Sequence, residues 1–199
     1  MNREQNIAVF GGTFDPPTRA HEAIIESCLQ RQDIDEVWLL PSGQRTDKNG
    51  MTSDDVRLAM LQHLQERVFL NDQRVVVSDF ELQLPRPTQT WITAQALSDA
   101  YPSLHFWYVF GADSYESMDT WEHGETLKQT IGMLLIPRAG FCMPTQTPKL
   151  RHLSVSIATQ GISSTEAREA LKNGENTDHL LSRPIQEFVA ERALYGALQ

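Results

Sequence analysis

The sequence predicts an α/β protein built on a doubly wound parallel sheet in three layers. Three observations point there. Six short apolar runs are mostly continuous rather than alternating, which suits strands covered on both faces. Helical patterns separate them, implying right-handed crossovers. Polar, turn-rich segments follow the strands, at the edge where such sheets bind ligands.

In chain order the first run is NIAVF (6–10), followed by GGTFDPPTRAH (11–21) and the helical pattern AHEAIIESCLQR (20–31). EVWLLP (36–41) is the second strand; the segment PSGQRTDKNG (41–50) leads from it to the helix SDDVRLAMLQHLQERV (53–68). RVVVSDF (74–80) gives a third strand and QTWITAQALSDAY (89–101) a third helix. LHFWYVFG (104–111) is the fourth strand, with the polar stretch GADSYESMDTW (111–121) at its end. GMLLIP (132–137) and LSVSIA (153–158) complete the strands, and RAGFCMPTQTPKLRH (138–152) reads as the most mobile connection. QGISSTEAR (160–168) opens the helix STEAREALKNG, and PIQEFVAERALYGAL (184–198) closes the chain. The four polar segments form one crevice. With no repeat, low-complexity tract or linker, 199 residues read as a single domain with a C-terminal helical part from about residue 163.

Composition narrows the function. A formal net charge of −9 argues against a broad DNA- or RNA-binding surface, which relies on clustered Lys and Arg. A small nucleotide is still compatible, because a few local donors can hold one triphosphate. Cys28 and Cys142 are far apart and lack metal-ligand spacing, as in a reducing compartment. The polar start MNREQN and the lack of a long apolar run suggest a soluble cytoplasmic protein without membrane contact. The six histidines show no zinc spacing, no Gly-x-Ser-x-Gly elbow occurs, and the acidic positions near Asp33 and Asp54 read as solvated faces or caps.

Two segments carry the chemistry. Gly11 and Gly12 remove side chains where a strand turns, so backbone N–H groups can approach a bulky anion. Pro16 and Pro17 stiffen the turn. Thr18 and His21 then share a face of the first helical turn, where the helix dipole favours phosphate and an imidazole can stabilise developing charge. Ser163 and Glu166 have capping-box spacing, which starts a second helix; Ser164 and Thr165 crowd its N-terminus, and Arg168 offers a forked phosphate donor. Taken singly, each segment also fits a capped surface helix with a half-buried histidine or a solvated arginine. Two anion-ready helix starts on one sheet edge favour the phosphate reading.

GGTFDPPTRAH with ISSTEAR resembles the paired motifs of the nucleotidyltransferase superfamily. GQRTDK then RLAML, DFEL then TQTWITAQAL, GADSYESMDTW and IPRAG follow the order and spacing of bacterial nicotinate-nucleotide adenylyltransferases, a likeness running from about Ile7 to Leu198. The resemblance implies a Rossmann-like fold and the transfer of AMP from ATP, with Mg²⁺, to nicotinate or nicotinamide mononucleotide. Pyrophosphate is the second product. It implies that His21, with Thr18, acts at the transferred phosphate and that Arg168, Ser163 and Ser164 grip the triphosphate beside Ile162. Gly11, Gly12, Thr13 and Phe14 would cradle ATP, Lys48 would reach a phosphate, and Gly111 and Asp113 would face the ribose and adenine. Thr90 and Trp121 would line the acceptor pocket, with the indole stacked on the pyridine ring.

The superfamily's His-x-Gly-His reads Thr18-Arg19-Ala20-His21 here. Thr in the first position resembles phosphopantetheine adenylyltransferases, a second enzymatic reading. A non-catalytic nucleotide-binding homologue is a third. The sequence does not separate nicotinate from nicotinamide as acceptor, and it leaves homo-oligomerisation open.

Overall fold

Successive side chains of the first strand, β1 (Gln5–Gly12), point into two different cores, and that alternation sets up the layers. Ala8 and Phe10 join Ile24, Ile25, Val37, Leu39, Leu61 and Leu64 on one face, while Ile7 and Val9 join Trp38, Leu40, Leu97, Phe106 and Tyr108 on the other. The computed structural model describes residues 4–43, 52–156 and 161–196. Within them β2 (Glu36–Pro41), β3 (Val75–Val77), β4 (Leu104–Gly111), β5 (Gly132–Ile136) and β6 (Leu150–His152) complete a parallel sheet in the order β3-β2-β1-β4-β5-β6.

The helices α1 (Arg19–Leu29), α2 (Asp54–Arg67), α6 (Ser164–Asn173) and α7 (Arg183–Glu191) send Ile24, Ile25, Leu61, Ala167, Ile185 and Val189 into the first core. The second core takes Ala94 and Leu97 from α3 (Thr90–Ala100) and Leu127 from α5 (Gly124–Thr130); Tyr115 of α4 (Ala112–Ser117) packs at its margin. The doubly wound, three-layer reading therefore holds. The strand order reverses between β1 and β4, whose register (Ile7 opposite Phe106, Val9 opposite Tyr108) brings Gly12 and Gly111 to the same carboxyl edge. The likeliest ligand site of such a sheet lies at this reversal.

Several local expectations fail. The last strand is not LSVSIA but Leu150–His152: its partner β5 ends at Ile136, and after the Leu153 N–H donates to the Leu135 carbonyl (2.8 Å) the ladder stops. Residues 157 and 158 of the expected run lie outside the described residues. The strand is polar because it is a sheet edge: Arg151 covers the Trp107 ring at 3.9 Å and pairs with Asp33. The stretch 138–152 thus contains a strand. Only Val75–Val77 of RVVVSDF is extended, and Phe80–Gln83 turns helical. The closing helix stops at Glu191, where Ala193 and Tyr195 take left-handed backbone angles (φ 48° and 58°). Asp33 stays partly exposed while pairing with Arg31 at 2.7 Å, whereas Asp54 is more than a solvated face or cap, since it binds both Arg57 and Arg86. Tertiary placement decides this, because the fully buried Arg57 requires a counter-charge.

Gly124 opens α5 directly beneath the Met118 carbonyl, which an added Cβ would overlap. Gly124→Ala is expected to cost about 1–3 kcal/mol of stability through overpacking. Urea unfolding followed by tryptophan fluorescence would measure it, and an unchanged midpoint would refute the close packing.

Candidate active site

The turn after β1 is held by its carbonyl groups. The Gly12 oxygen accepts from the Ser42 N–H (2.8 Å), and the Thr13 oxygen from Arg57 Nη1 (2.7 Å). The Asp15 oxygen accepts from Arg168 Nη1 (2.6 Å) and the Pro16 oxygen from the Ser164 hydroxyl (2.8 Å). The buried Asp15 carboxylate takes bonds from the Tyr195 hydroxyl (2.6 Å) and from Thr52. Arg57 also donates to the Ser42 oxygen (2.6 Å), so one guanidinium ties the ends of β1 and β2 together. Buried carbonyls need donors. Here α2, α6 and the C-terminal turn all supply them to one loop.

At the end of that turn the N–H of Thr18 donates to His21 Nδ1 (2.9 Å), with the Thr18 hydroxyl 2.8 Å from the same nitrogen. A ring nitrogen that accepts carries no proton, so the neutral ring bears its hydrogen on Nε2. The imidazole packs against Phe14 and Phe10, with ring centroids 5.0 and 5.8 Å apart. This burial, with a second push from the Arg138 charge, lowers its pKa from 6.5 to about 4. His21 is therefore a neutral donor at physiological pH. Thr18 is fully buried and faces the imidazole; Ala20 is buried too.

The second helix start lies against the same turn. The Ser163 hydroxyl caps α6 by accepting from the Glu166 N–H (3.1 Å). Ser164 and Arg168 reach the turn as described, and the half-buried Ile162 packs on the first core. Arg168 also bonds the Thr165 hydroxyl (3.2 Å); together its two bonds use two of a guanidinium's five N–H donors. Across the strand-order reversal, Arg138 Nε stands 3.8 Å from Asp113 Oδ1 at the end of β4. A Cβ on Gly111 would collide with that carboxylate, so the glycine gives Asp113 its place.

Beside these groups a cavity of about 690 Å³ opens over the carboxyl-end halves of β1 and β4. Gly11, Gly12 and Thr13 line it from the end of β1, Phe110 lines it from β4, and Thr90 and Trp121 line it from the start of α3 and the segment after α4. Trp121 meets Phe110 edge to face, with centroids 6.1 Å apart.

The structure thus gathers Gly11, Gly12, Thr13, Phe14, Thr18 and His21 at one turn, brings Ser163, Ser164 and Arg168 against it, and sets Thr90 and Trp121 around one cavity. Gly111 and Asp113 sit at the adjacent strand end. Lys48 lies outside the described residues. Sequence reasoning assigned no role to Arg57, Tyr195 or Arg138. Arg138 had a signal, since it stands directly beyond the fifth apolar run.

Residues 9–170 match the family model described as cytidylyltransferase-like. A protein of Oceanobacillus iheyensis named "Probable nicotinate-nucleotide adenylyltransferase" is 32% identical over 193 residues, covering 96% of this chain and 97% of its own. One of the same name from Bacillus licheniformis is 29% identical over 193 residues, covering 96% and 98%. Among solved structures, the Plasmodium falciparum nicotinic acid mononucleotide adenylyltransferase complexed with NaAD superposes with a TM-score of 0.82 at 23% identity, covering 98% of both chains. No helix among the described residues is long and apolar enough to cross a membrane.

The His21 environment makes a pH prediction. Its folded pKa of about 4 lies below the usual 6.5, so the unfolded chain binds the extra proton between those values. The stability this group contributes is complete above the unfolded value and is lost as pH falls toward 4. NMR titration of the imidazole should show an Nε2–H tautomer that stays neutral at pH 6; a midpoint near 6.5 would refute the buried, Thr18-held geometry.

Proposed function

From the premise that this chain belongs to the cytidylyltransferase-like family, and within it to the nicotinate-nucleotide adenylyltransferases, we propose how its residues carry out the transfer. The reaction moves AMP from ATP to nicotinate mononucleotide and serves NAD biosynthesis. An oxygen of the acceptor's phosphate attacks the α-phosphorus of ATP in line. As the new P–O bond forms, the bond to the β-phosphate oxygen breaks, giving the dinucleotide and pyrophosphate.

No covalent enzyme intermediate is needed, so positioning and charge stabilisation supply the catalysis. His21 donates its Nε2–H to an α-phosphate oxygen, where charge builds up. Neutrality suits this role, because the ring gives a hydrogen bond without first having to be charged. Thr18 positions the ring through Nδ1. The N-termini of α1 and α6 present their dipoles to the triphosphate, and Arg168 and Ser163 hold its outer phosphates with Lys48. Gly11 to Phe14 form the cradle, Gly111 and Asp113 take the adenosine, and Thr90 and Trp121 the pyridine nucleotide. Mg²⁺ would enter with ATP as part of the substrate and would supply positive charge toward the leaving pyrophosphate. The whole chain works as one domain, with the part from about residue 163 supplying half of the phosphate grip.

One observation carries the assignment: Ser164 and Arg168 of the second helix start bond the very turn that leads into His21. The near full-length likeness to nicotinate-nucleotide enzymes favours a pyridine acceptor over phosphopantetheine.

Purified protein with ATP, Mg²⁺ and nicotinate mononucleotide should release pyrophosphate. His21→Ala is expected to lower kcat by about 10²–10³-fold, the usual effect of removing one transition-state donor. Arg168→Ala should mainly raise KM for ATP. Pyrophosphate release that is missing with both pyridine mononucleotides, or untouched by His21→Ala, would defeat the reading.

A further inference from the structure

The rim of the acceptor cavity holds a pair of side chains that the reaction does not explain. Gln89 precedes α3 and Glu122 follows Trp121, and both line the cavity. Gln89 Nε2 donates to Glu122 Oε2 at 2.8 Å, so the pair links the segment that carries Thr90 to the one that carries Trp121. His123 Nε2 stands 3.8 Å from the other oxygen, Oε1, and offsets the carboxylate only when its ring is protonated. A second carboxyl, Glu81, also lines the cavity and accepts from the Thr93 hydroxyl at 3.2 Å. Among the described lining residues there is no Lys or Arg.

The chemistry of the pair fixes its orientation. An ionised carboxylate only accepts, so it claims the NH₂ end of the glutamine and leaves the amide oxygen as the free end. What the pair adds to the rim is therefore one negative charge and one carbonyl acceptor, set against the single N–H left on the glutamine amide. A carboxamide, which donates through its NH₂, complements both. A carboxylate is repelled by both.

We infer that the Gln89–Glu122 pair sets the choice between the two pyridine mononucleotides, so that this chain adenylates the nicotinamide form alongside the nicotinate form. The inference rests on the adenylyl-transfer reading and concerns only the acceptor. Both acceptors carry the same ribose phosphate and the same pyridinium ring, so the ATP half of the site treats them alike. Glu122 is exposed and Gln89 half-buried, so neither is a core residue.

The test is the ratio of kcat/KM for nicotinate mononucleotide to that for nicotinamide mononucleotide, measured in the wild type, Glu122→Gln and Gln89→Ala. The wild type should turn over both acceptors. Removing the charge with Glu122→Gln also frees the Gln89 amide to rotate, and should raise the ratio by about three- to tenfold, as expected for one solvent-screened charge pair. Gln89→Ala should raise it too, by slowing the nicotinamide form. A purely structural effect would slow both acceptors together and leave the ratio where it was. A ratio unchanged in Glu122→Gln, or shifted toward the amide, would overturn the inference, as would a wild type active with the nicotinate form alone. Pyrophosphate release with neither acceptor would instead sink the underlying reaction.

Discussion

The site depends on one constraint: the turn from Gly12 to Pro16 cannot leave its carbonyl groups without donors. Segments distant in sequence meet that need. Arg57 comes from α2, Ser164 and Arg168 from α6, and Ser42 from the end of β2. Tyr195, almost at the end of the chain, holds the Asp15 carboxylate in the middle of the turn. A loop fixed in this way is rigid without secondary structure of its own. The same contacts bring the α6 terminus to the α1 terminus, so the phosphate grip proposed above would be assembled by the bonds that stabilise the fold. On that proposal binding and folding share their contacts, which leaves the substrate little ordering to impose.

The environment of His21 follows from that rigidity. Phe14 has a left-handed backbone (φ 50°), a conformation that a bulky residue adopts only when its surroundings enforce it. That conformation accompanies a ring turned onto the imidazole, 1% exposed and 5.0 Å from it. The aromatic contact removes water and keeps the ring neutral, while the Thr18 N–H selects the tautomer. The threonine that departs from the superfamily's first histidine is thus accommodated: its hydroxyl and amide both point at Nδ1, leaving Nε2 as the ring's hydrogen-bearing nitrogen. Ala20 faces the protein interior, so its methyl group meets packed side chains.

How much of this was legible in the sequence varies with the kind of interaction. Long continuous runs such as LHFWYVFG read as buried strands, and the carboxyl edge they define is where the structure gathers the expected residues. Helix starts were legible as well, since Ser163 and Glu166 encode their own cap. The sixth strand was not, because an edge strand is defined by its partner's register: Leu150, Arg151 and His152 pair with β5 although LSVSIA has the stronger apolar character. The short helix Gly124–Thr130 was missed for a related reason, as GETLKQT has only Leu127 to bury and takes its place from packing against Met118. Arg57 was the least legible. Nothing local distinguishes a buried guanidinium from a solvated one on the same helix, and its two carbonyl partners lie 44 and 15 residues away.

A net charge of −9 remains to be reconciled with substrates that are themselves polyanions. Range resolves it. At physiological salt the Debye length is about 8 Å, so acidic side chains on remote faces contribute little inside the crevice. Donors at hydrogen-bond distance are scarcely screened, and that is the range at which the proposed grip would use the helix termini and Arg168. The overall acidity therefore weakens long-range steering far more than it weakens the bound state. It also explains why the positive groups are few and tightly placed. On the reading proposed above, the overall acidity is compatible with one triphosphate held where two helix dipoles meet.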